Sequence, residues 1–171
     1  RDSPLNVYTS QNIVGSGRWF LSIACGFSSW FDLPWVNGLF SLALIALTAA
    51  VVVDLFRMEN PILILLTGGL LASFPAVTAT FFYEFTADGY MLAMLLAALS
   101  VRLTVMEDRN WRHLLLAMVC LCLSCGTYQA YVSFALLLAI CHFWQELLEG
   151  QRSMADCLRW IGRQAVLYIV G

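Results

Sequence analysis

Few residues in this chain have side chains that chemistry needs, and they gather in three short stretches. Glu84 and Asp88 are four apart, which puts two side chains on one helical face if the helix begins early enough. They read as a solvated loop in which Asp88 caps the following helix. They read equally as carboxylates facing a cavity, able to hold a metal or take a hydroxyl proton. Arg18 follows the turn signal Gly15-Ser16-Gly17. Its guanidinium suits a lipid phosphate reached by snorkelling, or a substrate phosphate, whose oxygens match a planar five-donor cation. Tyr128, Gln129 and Tyr131 make either an interfacial aromatic belt or a set of groups that bond sugar hydroxyls and stack on a pyranose ring.

The remaining polar residues have plainer readings. Cys120, Cys122 and Cys125 lie in an apolar run without histidine at ligand spacing, so they read as packing. His113 and His142 read as interfacial packing near helix ends, and Asp54 with Arg57 as a local pair. No phosphate-cradling glycine loop or nucleophilic triad is present.

The elements that position these groups are apolar. Runs at 34–53, 61–82, 88–106, 113–125 and 128–147 approach the roughly 20 residues that cross a 30 Å hydrocarbon core, and another starts near Gln164. The chain is 61% hydrophobic and only 12% charged, with mean hydropathy +0.79, too little charge to cover a soluble surface. A net charge of -2 without a basic cluster excludes nucleic acid as a partner. The fold expected is all-α: a polytopic integral membrane helix bundle of five full spans plus the start of a sixth. Residues 19–31, with Trp19 and Trp30, read as a re-entrant or interfacial helix ended by Asp32-Leu33-Pro34. Residues 151–163 read as an amphipathic helix that meets membrane lipid.

Local punctuation refines this. Asn60-Pro61 should open the second span, Pro75 should kink it, and Gly126 should turn spans four and five into a hairpin. Residues 1–171 form one membrane domain. A first residue Arg1 and an apolar run at Gly171 suggest a fragment lacking an N-terminal span and C-terminal spans.

Arginine placement sets the orientation expected. Seven of nine arginines fall at the junctions after spans one, three and five, the side assigned to the cytoplasm. The N-terminal segment, the Glu84–Asp88 loop and the Tyr128–Tyr131 turn then share the outer face, where Arg18 is an exception that needs its own reason.

The strings Gly17-Arg18-Trp19-Phe20, Phe85-Thr-Ala-Asp88-Gly-Tyr90-Met-Leu-Ala and Gly126-Thr-Tyr128-Gln129-Ala-Tyr131 resemble those of the bacterial O-antigen serotype-converting glucosyltransferases. That family belongs with the polytopic glycosyltransferases of the C superfamily. The resemblance runs along nearly the whole chain. It implies a piece of a larger fold of that type in the bacterial inner (cytoplasmic) membrane. The activity implied is retaining or inverting transfer of a hexose, usually glucose, at the periplasmic face. The partners implied are a polyprenyl-phosphate sugar donor and a polysaccharide or glycolipid acceptor such as lipopolysaccharide O-antigen. A divalent metal is possible, and no cofactor is otherwise indicated. Family members use an acidic residue in the first external loop, onto which Asp2, the carboxylate of this chain's N-terminal segment, is carried over. Arg18 matches the Gly-Arg pair and Asp88 the acid before the Tyr-Met-Leu-Ala helix, with Trp19 and Tyr90 beside them as substrate-binding residues.

Two rivals stand beside transfer chemistry. A transporter or flippase for a lipid-linked sugar would use broken helices, for which Pro75 and Gly68-Gly69 are a hint. It would ordinarily need an ionisable group deep in a span, and the sequence has none there. A structural subunit would have no shared cavity around Arg18 and Asp88.

Overall fold

The computed structural model describes residues 17–25, 33–82, 86–105, 111–150 and 162. Among these residues seven helices follow in order: α1 (Leu21–Ala24), α2 (Pro34–Leu55), α3 (Pro61–Ser73), α4 (Pro75–Thr80), α5 (Ala87–Val105), α6 (Trp111–Thr127) and α7 (Ala130–Leu148). Among the described residues there is no strand.

Among the described residues three helices are long and apolar enough to cross a membrane: Trp35–Leu55, Ala87–Val105 and Ala130–Leu148. The other two apolar runs are shorter as helices. Residues Trp111–Thr127 fall just below spanning length, and the run at 61–82 divides at Phe74. The break is sharper than a kink. Phe74 is extended (φ -61°, ψ 129°) because proline disfavours a helical residue before it, and α4 restarts with Pro75 at its first position. At the other end of α3, Asn60 Oδ1 accepts the Ile62 N–H at 2.9 Å and Pro61 opens the helix, as the sequence predicts.

Large apolar side chains cover the outside, among them Ile62, Leu65, Leu66 and Leu70 of α3, which buries no residue at all. That is the exterior of a membrane helix bundle rather than of a water-soluble one. The interior is closed by small residues. Ala93, Ala97 and Ala98 of α5 are fully buried, as is Ala117 of α6, and Ser124 Oγ of α6 donates to the Ala93 carbonyl at 2.7 Å. Small side chains let backbones approach, and lipid gives helices little other reason to associate.

Helices α2 and α5 run side by side in the same direction. Leu44 and Ile45 pack with Met91 and Met94, whereas Val52 and Leu55 pack with Ala97, Ala98 and Val101. Their last turns meet in an ion pair, where the Asp54 carboxylate accepts from Arg102 Nε. The local Asp54–Arg57 pair expected from the sequence is therefore not made. Instead Arg57 takes a left-handed conformation (φ 50°) and closes α2, its N–H bonding the Asp54 carbonyl while the Met58 N–H bonds Val53.

The bundle thus has two chemically different ends. Asp54, Arg102, Gln145 and Glu146 mark one. Arg18, Asp88 and Tyr128 mark the other. The interfacial helix expected over 19–31 is described only as α1 and its flanks, because residues 26–32 lie outside the described residues, as do the polar turn at 106–110 and all of 151–171 except Gly162.

Candidate functional site

The second end is assembled by a docking event between distant parts of the chain. Gly17 has φ +79°, which glycine adopts freely, and this turn aims the following residues at the α6–α7 corner. The Phe20 N–H donates to the Gly126 carbonyl at 2.9 Å. The Trp19 indole lies directly on Gly126: a Cβ there would sit 2.6 Å from its ring atoms. Tryptophan thus occupies the volume that any larger residue at the corner would need.

Docking brings Arg18 over Tyr128, with the guanidinium carbon 5.1 Å from the ring centroid. Tyr128 also packs obliquely against Tyr90 of α5, centroids 4.8 Å apart, and edge-on to Tyr131 of α7 at 5.6 Å. Three tyrosines from three segments thus form one cluster capped by a cation. Gln129 stands exposed beside it, its amide 2.7 Å from where a Gly17 Cβ would lie. Such a surface offers an anion-binding head and aromatic faces with hydroxyls, a combination that suits a sugar phosphate.

Asp88 sits in the first turn of α5, two residues from Tyr90, with 4% of its surface exposed. The solvated-loop reading of this residue is therefore excluded. Its neighbour is Cys25, the residue that caps α1, fully buried, whose sulfur lies 4.0 Å from the Thr86 carbonyl oxygen. Burial, with the Asp88 carboxylate beside it, pushes the Cys25 thiol up to about 12, so it remains a protonated donor. Gly89 makes room for this sulfur.

Of the site residues expected from the sequence, Arg18, Trp19, Tyr90, Tyr128, Gln129, Tyr131 and Asp88 all come to this end of the bundle. Asp2 and Glu84 lie outside the described residues. Cys25 was missed, since a single cysteine in an apolar stretch carries no signal of its own. A shallow cleft at the opposite end is lined by Arg57, His142, Gln145, Glu146 and Glu149. There Gln145 ties Glu149 to the Phe56 carbonyl, at 2.8 and 3.5 Å, and none of the expected substrate-binding groups is present. His142 is buried near the Phe56 ring and 3.8 Å from Glu146.

With this geometry in place, comparison with known families is informative. The family Glucosyl transferase GtrII matches residues 2–171. The chain belongs to that family. No curated protein and no solved structure matches it. Membership in the GtrII family assigns glucosyl transfer to the chain at a general level, and so requires a sugar donor, an acceptor and a place where they meet.

Proposed function

We propose that the Arg18–Tyr128–Asp88 end is where this glucosyltransferase meets its substrates, and that it faces the periplasm. The donor is a polyprenyl-phosphate hexose, in the first instance glucose. The acceptor is a surface polysaccharide or lipid-linked glycan such as O-antigen. The observation that carries the reading is the guanidinium held over Tyr128 at the same end of the bundle as the buried Asp88 carboxylate. The sequence order, which puts seven of nine arginines at the alternate junctions, supports the orientation, with five spans crossing the bacterial inner membrane.

The roles follow from the chemistry. Arg18 binds the donor phosphate and stabilises the charge that develops on it as the sugar leaves. Tyr90, Tyr128, Tyr131 and Gln129 hold the hexose, with Trp19 fixing the segment that carries Arg18. Asp88 takes the proton of the attacking hydroxyl, a contribution of about 10²–10⁴ in rate. The hydroxyl oxygen bonds to the anomeric carbon, the bond from that carbon to phosphate oxygen breaks, and polyprenyl phosphate departs with both electrons. Asp2 and Glu84 are the alternative acids. The reading gives Asp88 the part of a base.

The experiment is transfer from polyprenyl-phosphate glucose by the membrane-embedded enzyme. Arg18→Ala should lose most transfer; an unchanged rate would remove Arg18 from the reading. The break at Phe74–Pro75 favours one competitor, a flippase for the same lipid. A flippase would move the donor across the bilayer and release no polyprenyl phosphate.

A further inference from the structure

Asp88 and Cys25 come from segments far apart in the chain, yet the packing leaves them almost no freedom. Cys25 ends α1 and is completely buried. A Cβ on Gly89 would lie 2.4 Å from its sulfur, so the thiol fills the side-chain space of the residue next to Asp88. Leu21 and Ala24 of α1 close the same space, at 3.3 and 3.6 Å from that position. The thiol has one proton and faces two acceptors, the Thr86 carbonyl and the Asp88 carboxylate. A carboxylate in a dry layer is costly unless donors are aimed at it, and a sulfhydryl is a weak but available one.

We propose that Cys25 is a positioning residue for Asp88, its buried S–H holding the carboxylate in the orientation that receives the acceptor's proton. The inference rests on the reading of Asp88 as the base. It also gives the segment from Gly17 to Cys25 two tasks: its first turn delivers Arg18 to Tyr128, and its last residue orients the acid.

The test uses the membrane-embedded enzyme with polyprenyl-phosphate glucose, comparing Cys25→Ala, Cys25→Ser and Asp88→Asn. Cys25→Ala should lower kcat roughly 10- to 150-fold, the range of one lost hydrogen bond to a charged group, with donor KM within about 2-fold. Cys25→Ser keeps a small donor and should restore most of the rate. A structural role alone would move KM and thermal stability together and would not be rescued selectively by a hydroxyl. If Cys25→Ala fails to accumulate, Cys25→Val fills the space without a donor and makes the same comparison against Cys25→Ser. Wild-type kcat in a donorless variant, beside an inactive Asp88→Asn, overturns the inference and leaves the base in place. A fully active Asp88→Asn overturns the base, and the inference with it.

Discussion

The Trp19 indole rests on Gly126 so closely that a single added methyl at the glycine would overlap the ring, 2.6 Å from two of its atoms. An indole is rigid and cannot retreat as a flexible side chain would. This contact, with the Phe20–Gly126 hydrogen bond, holds Arg18 in place.

Gly126→Ala should therefore push Trp19 off the corner and carry Arg18 away from Tyr128. Transfer activity should fall at least about 10-fold, a 1 Å displacement near reacting groups being enough for about 10²-fold. Binding of the donor, measured by its KM, should weaken in parallel. Gly162→Ala, where a Cβ would meet nothing within 4 Å, is the control expected to leave both unchanged.

Tyr128 separates the ring from the hydroxyl. Tyr128→Phe keeps the face under the guanidinium and should change donor KM by less than about 3-fold. Tyr128→Ala removes a cation–π contact of about 0.5–2 kcal/mol and should raise donor KM roughly 2- to 30-fold. Equal effects from the two substitutions would mean that the hydroxyl, not the face, is what matters.

Two buried serines should answer alanine differently. Ser124 Oγ bonds the Ala93 carbonyl across α5 and α6, and losing that bond should cost about 1 kcal/mol. Ser41 Oγ is fully buried and has no hydrogen-bond partner among the described residues, so Ser41→Ala should be neutral or stabilising. Thermal unfolding of the two variants in detergent reads the contrast.

Arg57 closes α2 in a conformation that L-residues pay for and glycine does not. Arg57→Gly should stabilise the protein by about 0.5–1 kcal/mol, seen as a higher unfolding temperature. A lower one would mean that the exposed arginine contributes more than its backbone costs.

Sidedness is open to labelling. Cysteine introduced at the exposed Gln129 should react with a membrane-impermeant thiol reagent added from the periplasmic side, and cysteine introduced at Arg57 only from the cytoplasmic side. The reverse pattern would turn the proposed site away from the periplasm and overturn the orientation proposed for it.

What could be read from residue order alone was whatever is local. Apolar length marked the helices, Asn60-Pro61 marked a cap, Pro75 marked a break, and charge sorting separated the two ends. The Gly-Arg-Trp and Tyr-Gln-Ala-Tyr strings named groups that the fold brings to one end of the bundle. Which residues touch was decided only by tertiary packing. Asp54 chose Arg102 over its neighbour Arg57, Asp88 went inside rather than to a wet loop, and Cys25 came to lie against it. The reason is physical. An amphipathic helix announces its buried face through its polar one. A helix such as α3 is apolar on nearly every side, so the facing side is chosen by where small residues let backbones approach, through contacts that sequence periodicity does not encode.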